Sequence, residues 1–139
     1  MAFIAYQHNA GDIPVMYLPA SNLNYKAGMA LVLNSDGQLV RATGDVKPEY
    51  ISLFEGISAG TGELVPVEPV YPTTVYESIL TGSITGLKVG SRHSINSAAL
   101  YIYSVSTKGV IKILAVDKNE KGGKVLFTFV DPISEASAN

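Results

Sequence analysis

From Tyr25 the chain reads Tyr-Lys-Ala-Gly-Met-Ala-Leu-Val-Leu, placing Met29, Leu31 and Leu33 on one face of an extended segment and Ala30 and Val32 on the other. A turn cluster and a second apolar run follow, which predicts a β-hairpin over Met29 to Thr43. A two-residue Asp36-Gly37 loop would set Asn34 against Leu39 and Val32 against Arg41. A three-residue Ser35-Asp36-Gly37 loop, with Gly37 left-handed in a bulge, sets Leu33 against Leu39 and Val32 against Val40. The second register keeps apolar side chains opposite one another and is the predicted one.

The same pattern extends in both directions. Residues 1–12 begin apolar with Phe3, Ile4 and Tyr6 and end polar, which reads as a first edge strand or an arm. Ile13 to Pro19 is an apolar run carrying Pro14 and Pro19, which confines it to a sheet edge or an extended segment outside the ladders. Tyr50 to Ile57 resumes as a strand with Ile51, Leu53 and Ile57 on one side, and closes on a turn at Gly60 to Gly62. Leu64 to Val70, broken by Pro66 and Pro69, reads as a second edge or a bulged strand. After a short strand at Val75 to Leu80, Gly82, Gly86 and Gly90 mark turns rather than a helix, and Ser91 to Ala99 is the one place that admits a helical turn. Leu100 to Val105 is a strand. A closing hairpin joins Val110–Val116 to Lys124–Val130, with Val125, Phe127 and Phe129 sharing a face.

About eight or nine short strands without an amphipathic helix predict an all-β fold, a small β-barrel or β-sandwich. The predicted organisation is an N-terminal arm or edge segment over 1–24, a β-barrel or sandwich domain over 25–132, and a polar tail over 133–139, loose in solution.

Composition narrows the possibilities. At 139 residues the chain is one domain large enough to bury a core without staples, and with no cysteine it has neither disulfides nor thiolate chemistry. The apolar runs are too short for a membrane helix, and the N-terminus lacks the pattern of a cleaved signal, so no membrane partner is expected. A net charge of −2 argues against nucleic acid. Hydrophobic residues make up 47% and charged residues 16%, more apolar than a free-standing small domain needs, so either the core is well filled or surface is buried against other chains. Positive charge is concentrated after residue 80 and acidic charge before it, which complementary subunit faces would explain if the fold preserves the split.

Catalytic patterns are sparse. His8 and His93 both read as solvent or turn residues, and neither has a second ligand within a turn, so no metal or cofactor is expected. Ser91-Arg92-His93-Ser94 lacks the strand-turn-helix setting of a nucleophile elbow. The glycines of 56–62 precede no helix and no Lys-Ser/Thr pair, which rules out a phosphate loop. Scattered acids such as Glu49, Glu55, Glu63, Glu68 and Glu77 read as solvated strand positions. Among the eight tyrosines, Tyr6, Tyr17, Tyr71 and Tyr76 lie near predicted edges and suit a protein interface or a sugar platform, while Tyr101 and Tyr103 read equally as ordinary strand residues.

Four segments, Gly28 to Gly37, Gly56 to Val67, Leu87 to Gly90 and Gly123 to Phe129, together resemble the small capsid decoration, or cement, proteins of tailed bacteriophages. The likeness runs from about residue 25 to 130 and rests on glycines between alternating apolar residues. It implies a β-barrel-type fold, homotrimers on the capsid exterior, no catalysis, and a role in bridging neighbouring major capsid subunits of an expanded shell. The protein would be made in the host cytoplasm and end in the virion. On this reading the contacts with capsid or with other copies are Phe3, Ile4, Tyr6, Met16, Tyr17 and Leu18. The competing reading is a carbohydrate-binding β-sandwich module of a head fibre or adhesin, which requires a shallow groove where tyrosines are flanked by Asn, Asp or Arg.

Overall fold

The computed structural model describes residues 3–8, 14–56 and 59–133, with backbone alone at Gln7 and His8. Eleven strands appear in chain order: β1 (Ile4–His8), β2 (Met16–Pro19), β3 (Ala30–Leu33), β4 (Leu39–Arg41), β5 (Tyr50–Ser52), β6 (Leu64–Pro69), β7 (Thr74–Ile79), β8 (Arg92–Ile95), β9 (Ile102–Val105), β10 (Ile111–Val116) and β11 (Lys124–Phe129). They form two antiparallel sheets, a six-stranded one in the order β1-β7-β11-β10-β8-β9 and a five-stranded one in the order β2-β6-β5-β3-β4. The fold is a sandwich-like all-β architecture with no helix among the described residues. A single bridge between Ala20 and Leu39 brings the end of β2 to the start of β4, and no ladder closes the sheet.

The first hairpin has the predicted register. Leu33 faces Leu39 and Val32 faces Val40, Asn34 N–H donates to the Gln38 carbonyl, and Gly37 takes φ +73°. Asn34 Oδ1 accepts from the N–H groups of Asp36 and Gln38, so the loop polar groups are satisfied locally. The closing hairpin β10–β11 also forms as expected, with a bulge between Ile113 and Ala115, and Val125, Phe127 and Phe129 are buried on one face. Those phenylalanines meet Phe3 and Tyr76 in a cluster with centroid separations between 5.0 Å and 5.9 Å, mostly edge-on or tilted, the geometry that ring quadrupoles favour.

Two strands of the N-terminal segment are sheet edges: β1 ends the six-stranded sheet against β7, and β2 ends the five-stranded sheet against β6. The edge assignment of Leu64 to Val70 is corrected, because β6 lies between β2 and β5. Its prolines are tolerated at the ends of the neighbouring ladders. The Pro66 carbonyl accepts from Leu53, one residue past β5, and Pro69 lies beyond the last β2 pair at Met16–Val67. The strand predicted from Tyr50 stops at Ser52, whose hydroxyl accepts from Met29 N–H and donates to the Lys26 carbonyl. Ile57 and the tail 134–139 lie outside the described residues.

The helical turn admitted over Ser91 to Ala99 is a strand followed by a turn. Arg92 and His93 pair with Lys112 and Ile111, and Asn96 Oδ1 then caps the Leu100 and Tyr101 N–H groups, with Ala99 at φ +60°. Pairing with β10 and β9 outweighs the weak local preference of the segment.

Candidate interaction surface

The six predicted contact residues divide by strand geometry. Tyr17 is 62% exposed and faces Pro66 across the β2–β6 ladder, and Leu64, also 62% exposed, faces Pro19 on the same side of the sheet. Met16 and Leu18 point to the opposite face, where they are half-buried opposite the buried Val67 and Val65. On β1, Ile4 and Tyr6 are exposed, Tyr6 at a bulge between Ala5 and Gln7. Ile4 also lines a cavity of about 180 Å³ with Leu53, Ile51 and Glu68, so the β1 edge adjoins the β5–β6 part of the other sheet.

Phe3 departs from its expected role. It is 1% exposed, wedged edge-on between Phe127 and Phe129, and its backbone N–H donates to Gly28. A side chain so buried supports the edge from beneath. Tyr76, a candidate at a predicted edge, is fully buried on the inner face of β7, the second strand in. Burial, reinforced by the Glu68 carboxylate, pushes its phenol pKa up. The exposed apolar residues are thus Tyr17, Leu64 and Val15 at the β2–β6 edge of one sheet, beside the half-buried Pro66, and Ile4 and Tyr6 at the β1 edge of the other. Leu64 was missed because a leucine opening an apolar run reads as core. Its exposure follows from alternation with the buried Val65, once β6 is known to have one covered face.

His93 is likewise corrected, from a solvent or turn residue to a fully buried one on β8. Nδ1 lies 3.0 Å from the Tyr103 carbonyl, which only accepts, so Nδ1 carries the proton and Nε2 faces the Ser91 hydroxyl at 2.9 Å. The Ser91 hydroxyl also lies 2.6 Å from the Lys88 carbonyl. This pair stitches β8 to β9 and to the turn before it. Burial lowers the His93 pKa, with hydrogen bonding to the backbone of Tyr103 and Ser104 offsetting part of the shift. A histidine depressed in the folded state takes up a proton first in the unfolded chain, so stability contributed by neutral His93 is present above about pH 6.5 and is lost as pH falls below it. The expected slope from this group is at most about 1.4 kcal/mol per pH unit. Urea midpoints measured from pH 7.5 to pH 5 check it: the wild type should lose more stability over that interval than His93→Gln.

The charge split survives folding. Residues 14–70, which build the whole five-stranded sheet, carry Lys26, Arg41 and Lys47 against six acids, a net of −3. Residues 71–133, which supply the other sheet apart from β1, carry seven Lys or Arg against four acids, a net of +3.

The sequence matches no family profile and no curated protein. In fold, the chain is similar to the crystal structure of the N base of head fiber gp8.5 in bacteriophage phi29, with a TM-score of 0.53 and 16% sequence identity. The superposition covers 89% of this chain and 100% of that one, so the likeness is one of whole architecture rather than of a shared hairpin.

Proposed function

We propose that the chain is a non-enzymatic structural protein of a phage head. It binds the outside of an expanded capsid and cements neighbouring major capsid subunits. The observation that carries this reading is the fold-level match, over nearly the whole chain, to the base of a phage head fibre. The apolar residues exposed along the β2–β6 and β1 edges agree with it, because a structural protein needs a dry anchor patch more than a pocket. The mechanism is mass action: a protein that binds only the assembled lattice stabilises it by its binding free energy, summed over many copies.

Self-association into a trimer is part of the proposal. The net charges of −3 and +3 on the two layers favour a head-to-tail contact, in which the acidic sheet of one copy meets the basic sheet of the next. A rotation that closes such a contact makes a ring.

The test is co-sedimentation with expanded, undecorated capsids, with unexpanded shells for comparison. The wild type should bind expanded shells saturably. A variant carrying Tyr17→Asp and Leu64→Asp should lose about thirtyfold or more in affinity, as central apolar anchors do, while its melting temperature stays close to that of the wild type, since both side chains are largely exposed. Unchanged occupancy by the double variant would remove these residues from the contact. Failure of the wild type to bind either shell would overturn the capsid reading itself.

A further inference from the structure

At the far edge of the six-stranded sheet from β1, strand β9 pairs with β8 alone among the described residues and is flanked by two grooves. One, of about 630 Å³, runs toward Asp45 and Asn96; the other, of about 400 Å³, runs along residues 82–85 to Val105. Thr81, Ile102 and Tyr103 line both, so Tyr103, which is 60% exposed, stands at the boundary between them. Both volumes fall within the range of small-molecule sites.

The chemistry of the walls is narrow. Thr43, Thr81, Ser83, Thr85, Ser94 and Ser97 bring hydroxyls, to which Tyr101 and Tyr103 add phenols. Among the described residues no lysine or arginine lines either groove, and Asp45 carries the one charge. Such a surface gives an anion nothing to pair with and sets a carboxylate against it, which disfavours phosphates, acidic peptides and nucleic acid. A purely apolar ligand would strip water from a row of hydroxyls without replacing their hydrogen bonds.

Two residues have hydrogen-bonding capacity to offer. Asn96 engages its Oδ1 with the N–H groups of Leu100 at 3.0 Å and Tyr101 at 3.1 Å, so its NH2 is the group that remains to donate outward. Asp45 accepts from the Ser106 hydroxyl through Oδ2 at 3.2 Å, whereas its Oδ1 is buried in the groove wall with no hydrogen-bond partner. An orphaned carboxylate oxygen is costly, and the broad χ2 torsion of aspartate lets it swing toward a donor that enters the groove.

A ligand that matches all of this has C–H groups on one face, neutral hydroxyl donors and acceptors around its rim, and more than one ring. We propose that the double groove binds a neutral oligosaccharide, with Tyr103 as the stacking platform between two sugar subsites. Asp45 and Asn96 orient the ring in the larger one. The site is separate from the apolar anchor patch and does not depend on the capsid reading. Five strand steps at about 4.8 Å each put β9 roughly 24 Å from β1 across the sheet. A copy held to a surface through the β1 edge would therefore present this groove on its opposite side.

The experiment is an NMR titration of the full chain, labelled with nitrogen-15, with three neutral probes: the β-1,4-linked tetramers of N-acetylglucosamine and of glucose, and the α-1,4-linked glucose tetramer. Dextran sulfate serves as the anionic comparison. At least one neutral tetramer should give saturable shifts confined to residues 43–45, 81–85, 94–97 and 101–105, at concentrations up to about 10 mM, where even millimolar affinity registers. Tyr103→Ala should weaken that binding about tenfold or more, Tyr103→Trp should retain it, and Tyr17→Ala on β2, in the other sheet, should leave it unchanged. No shifts with any of the three, binding indifferent to Tyr103→Ala, or a preference for dextran sulfate would each overturn the proposal.

Discussion

Phe127→Ala is expected to destabilise the protein by about 4 kcal/mol, the middle of the range for deleting a buried aromatic ring. Phe127 is fully buried and touches three other rings: Phe3 at 5.3 Å, Phe129 at 5.2 Å and Tyr76 at 5.9 Å. These rings come from β1 and its flank, β7 and β11, and backbone ladders on both sides fix their Cα positions, so the gap left by alanine closes poorly. A domain of this size should lose roughly 12 °C or more in melting temperature, a large share of the total stability of about 5–15 kcal/mol that such domains have. Phe127→Leu, which refills most of the volume, should cost less than half as much. Thermal unfolding followed by near-ultraviolet circular dichroism checks both. A loss under about 1 kcal/mol for the alanine variant would mean that the four rings do not form a packed unit.

Gly109→Ala is expected to be at least as damaging as many core truncations, at about 3 kcal/mol or more, for a different reason. A Cβ built on Gly109 would sit 2.4 Å from the His93 carbonyl oxygen and 2.6 Å from its carbonyl carbon and nitrogen. Those atoms are backbone, and β8 is held on one side by β10 and on the other by β9, so no rotamer change relieves the clash. Gly109 itself is tied down, donating to the Ser106 carbonyl and accepting from Arg92 Nη1 at 3.0 Å. Gly37→Ala provides the contrast: φ is +73° there but nothing lies within 4 Å of the added carbon, so its cost is only the backbone strain of about 1–2 kcal/mol. Urea midpoints should rank the wild type above Gly37→Ala and Gly37→Ala above Gly109→Ala. The reverse order of the two variants would show that β8 yields at Gly109.

What the sequence made legible was local. The Leu33–Leu39 register and the shared face of Val125, Phe127 and Phe129 follow from alternation and turn chemistry a few residues apart, and both hold in the fold. What stayed hidden depends on which distant strand lies alongside. Pro66 and Pro69 suggested an edge, yet β6 is interior because the ladders on either side end just where an N–H is missing. His93 sat among polar neighbours and is buried because β9 and β10 flank β8, while the Tyr103 carbonyl and the Ser91 hydroxyl satisfy its ring nitrogens. Phe3 looked like part of an apolar arm and is core because β1 docks on β7 above Phe127 and Phe129. The apolar patch was half legible, through Ile4, Tyr6 and Tyr17, whereas Leu64 required the orientation of β6. The grooves at β9 gather residues 43–45, 81–85, 94–97 and 101–105, segments that no short-range pattern connects.

The pairing of β1 with β7 also sets an order in time. Joining Ile4 to Glu77 closes a loop of roughly 70 residues, which costs about 2 kcal/mol more chain entropy than closing the β10–β11 hairpin. Local hairpins form fast and long-range pairings slowly, so β1, made well before β7 and β11, is the strand that waits longest for a complete docking place. Phe3 has nowhere to insert until Phe127 and Phe129, near the other end of the chain, are aligned on β11. The edge that carries Ile4 and Tyr6 is consequently finished in the closing step of folding, and a half-folded copy has no such edge to offer a partner.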